Sequence, residues 1–149
     1  MRRASFIVVA TLVLAGCGGG GSSGGDRLSR AQYAAKADAI CGKYNAKTKS
    51  LGNAKNLAEL AKVFDRALPL LDSAIAELRT LKPPASEQND VDRWLAQSEV
   101  AKHDLQEMRD KARAKDLKAV QNAFARASAD NKESNRLAAK LGLKVCAKG

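Results

Sequence analysis

The chain has 149 residues, is 45% hydrophobic, 28% charged and only 4% aromatic, and carries a formal net charge of +10 at pH 7. Once a targeting segment is subtracted, that length leaves room for one domain at most and excludes a multidomain architecture. Few aromatics with abundant alanine, leucine and lysine suit helices, because these residues lead the helix scale.

Arg2 and Arg3 form a positive start, and Ala4 to Leu14 form an apolar run. The run falls short of the roughly 20 apolar residues a transmembrane helix needs and reads as an export signal. It ends in Leu14-Ala15-Gly16-Cys17, which resembles a bacterial lipobox. Small residues before the cysteine give a signal peptidase access to the bond. The Cys17 thiol is then expected to accept a diacylglyceryl group, and acyl chains would hold the mature chain on a membrane. The expected boundaries are residues 1–16 for the signal peptide, 17–25 for the lipidated cysteine and a tether, and 26–149 for the domain. The tether, Gly18 to Gly25, is all glycine and serine and has no side chain to bury. No strand precedes it, so it is not a phosphate-binding glycine loop.

Processing removes Arg2 and Arg3 and leaves 24 Lys+Arg against 16 Asp+Glu, a net charge of +8. A basic exported domain favours anionic neighbours such as lipid head groups or acidic wall polymers, and export argues against nucleic acid. Lipidation of Cys17 leaves one cysteine pair. In an oxidising compartment Cys41 and Cys146 are expected to form a disulfide. Closing so long a loop is worth about 4.7 kcal/mol in the chain-entropy treatment.

The first helix is expected to start after Ser29, where Ser29-Arg30-Ala31-Gln32 matches a capping box and Leu28 can staple onto Tyr33. Tyr33, Ala37, Ile40, Tyr44 and Leu51 fall near one face, Cys41 sits beside them, and Gly52 is a suitable stop. Asn56 caps the second helix, whose stripe is Leu57, Leu60, Phe64, Leu68, Leu71, Ile75 and Leu78. Pro69 lies inside it and predicts a kink, since the periodicity continues in phase. Lys82-Pro83-Pro84 ends it.

A third helix is expected from about Pro84 to about Arg113, with Val91, Trp94, Ser98, Ala101, Leu105, Met108 and Ala112 inward. Asp116 caps the fourth, whose expected stripe is Leu117, Val120, Phe124, Ala127, Asn131, Ser134, Ala138 and Leu141. Gly142 is placed for a left-handed cap, with Leu143 folding back on Leu137 or Ala138. Four amphipathic helices with short turns predict an all-α, antiparallel up-down-up-down four-helix bundle. In that topology the tail from Gly142 reaches Cys146 if it runs extended along the first helix.

Tyr33 to Cys41 (YAAKADAIC), Pro83-Pro84, Trp94-Leu95 and the ending Leu141-Gly142-Leu143-Lys144-Val145-Cys146 resemble a group of small helical lipoproteins of actinobacteria. The resemblance spans nearly the whole mature chain. It implies the bundle and the disulfide and brings no activity with it.

Chemistry-bearing constellations are few. His103 is the sole histidine and points off the stripe, so a haem ligand is not expected, and Met108 reads as core. Glu99 and His103 stand at i, i+4, unlike the Glu-x-x-His of di-iron bundles, and read as a surface pair. No metal and no cofactor beyond the Cys17 lipid is expected. No nucleophile, base and orienter assemble, so an enzyme is not expected.

Two features remain. Thr48, Ser98, Asn131, Ser134 and Asn135 interrupt or flank the apolar stripes. They form a satisfied polar layer or a poorly buried end of the bundle, or else a small polar pocket between helices. Lys47, Lys49, Lys55, Lys111, Arg113, Lys115 and Lys118 gather at one end of the expected bundle, diluted by Glu107, Asp110 and Asp116. They are ordinary helix-end charge, or a tip for an anionic wall polymer or another envelope protein. The leading expectation is a non-catalytic interaction module on the outer face of the membrane. The alternatives are a small-ligand carrier with an interhelical pocket and a structural spacer that contacts anionic polymers.

Overall fold

In the computed structural model residues 27–148 are described, so Cys17 and the stretches expected to be a signal peptide and a glycine tether lie outside the described residues. Four α-helices follow one another: α1 (Arg30–Lys49), α2 (Leu57–Thr80), α3 (Gln88–Arg113) and α4 (Leu117–Lys140). Short 3-10 turns precede α3 (Ala85–Glu87) and end the described chain (Cys146–Lys148). Cross-helix pairs fix the antiparallel order. Lys43 meets Glu77, Arg113 meets Asp65, and Lys140 meets Asp90. Among the described residues there is no strand, and no helix is long and apolar enough to cross a membrane.

The caps follow from the residues. Ser29 Oγ accepts from Gln32 N (3.3 Å) while Ser29 N donates to Gln32 Oε1 (2.9 Å), a full capping box. Asn56 Oδ1 accepts from Glu59 N (2.9 Å), and Glu59 reaches back to Lys55 N (2.8 Å). Asp116 Oδ1 accepts from Ala119 N at 2.9 Å. Gly142 takes φ +80°, with Gly142 N on Ala139 O (2.9 Å) and Leu143 N on Ala138 O (3.0 Å). That pattern is the Schellman cap, which puts Leu143 back onto Leu137 and Ala138 in the core.

Three expectations are corrected. α3 does not begin at Pro84, whose ψ of 144° is extended; a 3-10 turn intervenes and the helix starts at Gln88. The tail is not extended. After the Schellman turn it climbs α1 compactly, because the Asp38 carboxylate accepts backbone N–H groups from Lys144 (2.8 Å), Val145 (2.8 Å) and Cys146 (3.1 Å). And Leu117 and Phe124 are 56% and 65% exposed instead of inward, while Ala123 is buried in their stead. The far end of α4 is rotated so that small residues face α3. Helix α2 runs unbroken through Pro69, and Ser73 Oγ donates to the Pro69 carbonyl at 2.8 Å.

The disulfide Cys41–Cys146 is formed, with a Cα–Cα distance of 5.3 Å and a sequence separation of 105. It belongs to the larger of two cores. Tyr33, Leu78, Val91, Trp94, Leu141 and Leu143 pack together where α1 begins and α4 ends. At the opposite end the second buried cluster is Ala61, Ala112 and Val120, backed by Leu57 and Leu60.

Candidate functional site: a pocket between the helices

Helix α1 packs on α2 and on the C-terminal turn but not closely on α4, whereas α2–α3 and α3–α4 pack along their lengths. The seam between α1 and α4 is therefore filled by the disulfide-bonded tail at one end and open beyond it. In that opening lies a pocket of about 210 Å³. Its apolar wall is α2, with Leu70, Leu71 and Ile75, together with Trp94 and Leu105 of α3. The disulfide closes its inner end, since both Cys41 and Cys146 line it.

The polar residues that break the helical stripes meet here. Asn45 and Thr48 of α1, Ser98 of α3, and Asn131, Ser134 and Asn135 of α4 all line the pocket. The structure thus brings these residues around one open space, with Thr48 and Asn131 exposed at its rim. Thr48 and Ser98 donate to their own i−4 carbonyls, Tyr44 O at 3.0 Å and Trp94 O at 3.1 Å, so their oxygens stay presented as acceptors. Tyr44, Ala67 and Ala74 also line it; Asn45 and the two alanines carry no sign of this in the sequence. The small alanines leave room, which emerges only when the four helices come together.

Tyr44 forms the edge of the site. It is 7% exposed, and its hydroxyl donates to Glu77 Oε1 at 2.6 Å. Lys43 also binds Glu77 (2.6 Å to Oε2), and hydrogen bonds from Lys43 and then Tyr44 hold the Glu77 carboxyl below the usual range. The Lys43 and Lys47 ammoniums stand 4.7 and 4.9 Å from the Tyr44 ring centroid. Charge thus surrounds the pocket without entering it.

A second hollow, about 310 Å³, abuts the first between α3 and α4. It shares Leu105 and Asn131 and is bounded by Met108 and the exposed Phe124. Asp104 lies on its edge, with Oδ2 buried and unpartnered, and burial followed by the charge of Asp130 raises its carboxyl.

The seven basic residues do fall in the two turns and helix ends at the far end, where α1 leads into α2 and α3 into α4. They are not equivalent. Arg113 is committed to Asp65 at 2.6 Å, and Lys47 covers Tyr44. Lys49, Lys55, Lys115 and Lys118 are exposed and Lys111 is half-buried. Lys115 holds φ +58° in the tight α3–α4 turn.

His103 is exposed on α3. Glu99 does not pair with it; its carboxylate is held by Lys102 (2.7 Å) and Arg79 (2.8 Å) and kept below the usual range, chiefly by Lys102. Met108 is buried. Among the described residues no three His, Cys, Asp or Glu side chains are grouped to hold a metal ion. No protein-family model, curated protein or solved structure matches the chain.

Proposed function

We propose that the protein is a lipid-anchored, non-catalytic binding module of the cell envelope, related to the small helical lipoproteins of actinobacteria that its motifs resemble. Its binding site is the interhelical pocket. Cys17 carries the lipid, the glycine tether holds the bundle near the extracytoplasmic face, and the pocket captures a small molecule. The observation that supports this reading is the convergence of polar residues from three helices on one unfilled volume of about 210 Å³.

The test is extraction. The protein purified from its native envelope, denatured in organic solvent and analysed by mass spectrometry, is expected to release a bound molecule. An Ala74→Phe variant, with the wall of the pocket filled, is expected to release none. Empty native protein would overturn the reading, as would recovery of an unacylated chain from culture fluid.

A second reading rests on a separate observation. Phe124 and Leu117 are exposed on the first half of α4, and Lys115 and Lys118 are exposed where the chain turns into that helix. Apolar and basic side chains together suit contact with an anionic wall polymer or an envelope protein. Binding to purified wall polymer should weaken with salt and on Lys115→Glu with Lys118→Glu; salt-insensitive binding would defeat it.

A further inference from the structure

We infer that the pocket ligand is an uncharged amphiphile: an apolar chain or ring system carrying a hydroxyl, amide or carbonyl head. This rests on the pocket being the binding site and goes on to name what the site selects. In a chain that is 28% charged, no Asp, Glu, Lys, Arg or His lines the pocket. Charges around Tyr44 at its edge are engaged with one another and with the ring, Lys43 on Glu77 and Lys47 over Tyr44. The Tyr44 hydroxyl, the one ionisable group on the wall, is given to Glu77.

A charged ligand head placed here would meet no counter-charge on the wall, and whatever water it shed against the helices would go uncompensated. A neutral head is matched instead. The amide of Asn45 has both donors and an acceptor, and the hydroxyl of Ser134 serves as either, beside the polar side chains of Asn131 and Asn135. The lower wall, Leu70, Leu71, Ile75, Trp94 and Leu105, takes the apolar part. An engineered 150 Å³ cavity holds benzene, so by proportion this volume suits an apolar body of about eight carbons. A longer chain has an exit over Leu105 into the second hollow, where Phe124 is its wall.

Trp94 is the only tryptophan and lines the pocket, so its emission reports occupancy. The full-length protein is titrated with four probes: octanamide, 1-octanol, octanoate and octylammonium. The first two are expected to shift Trp94 emission saturably. The two ions, with the same chain, are expected to bind at least tenfold more weakly. Filling the pocket by Ala74→Leu should abolish the response to the neutral probes. Ser134→Leu, on another helix, repeats the test should the first variant fold poorly.

Equal or tighter binding of either ion overturns the assigned class, while the pocket reading stands. An unchanged response in both filled variants also overturns it, since the probes then bind elsewhere. If no probe binds but native protein still releases a molecule on extraction, the class falls and the pocket survives. If no probe binds and extraction is empty, both fall.

Discussion

The two ends of the bundle differ in how they are held. Where the chain enters, Leu28 N donates to Lys82 O (2.9 Å) and Arg27 to Pro83 O (2.9 Å), and the C-terminal turn is clasped by Asp38 and the disulfide. A continuous core of large side chains lies beneath. At the other end α1 has diverged from α4, the buried residues are mainly alanines, and Leu117 and Phe124 face outward. One end is stapled and closed; the other is thin and open, and the pocket sits at the boundary. A domain this small gains rigidity where covalent and capping restraints concentrate, and leaves its open volume where they stop.

The most direct way to break this contrast is to cut the staple. Cys41→Ser with Cys146→Ser is expected to lose about 4 kcal/mol of stability, measured by urea unfolding, because the unfolded chain regains the freedom of a long loop. Truncation should then rank the two cores. Leu141→Ala, 2% exposed in the stapled end, is expected to cost about 3 kcal/mol, and Val120→Ala at the open end well under half of that. Equal costs would erase the distinction. Asp38→Ala removes the acceptor for three backbone N–H groups and is expected to cost about 2 kcal/mol, with Asp38→Asn recovering part.

Alkaline titration sharpens the same contrast. Tyr33 is fully buried in the stapled end, and its phenol is pushed up to about 12, first by burial and then by the charges of Asp92 and Glu87. The unfolded chain loses this proton near the ordinary value of 10.0 while the folded chain keeps it. Stability from this group is therefore complete below pH 10 and is lost as pH rises through about 12. Tyr33→Phe should flatten the fall of the melting temperature across that window. At neutral pH it should cost little, because the Tyr33 hydroxyl has no partner to lose. The smallest effect is expected at the open end: Phe124→Ser should change stability by no more than about 0.5 kcal/mol. A large loss would mean that Phe124 is core after all.

Most of the fold was legible residue by residue. Ser29, Asn56, Asp116 and Gly142 each cap the helix that their chemistry announces. Trp94, Ile75, Leu78 and Leu141 are buried as their spacing requires. The stripe failed on α4, where Leu117 and Phe124 share a phase with Val120 yet lie outside. Periodicity states which residues share a face, not whether a neighbour arrives to cover it. The polar interruptions at Ser98, Asn131 and Ser134 could be seen in the sequence, but whether they touched or enclosed space could not.

The chain's caps and apolar periods by themselves determined four helices and their order, because local chemistry starts and stops each one, and the structure joins Cys41 to Cys146 across the first and last of them. Tertiary structure alone decided that α1 packs on α2 and the C-terminal turn and not closely on α4, because a helix's own residues do not say which neighbour will cover them. The pocket with its charge-free wall and the exposure of Phe124 likewise depend on which helices meet, which no single helix encodes.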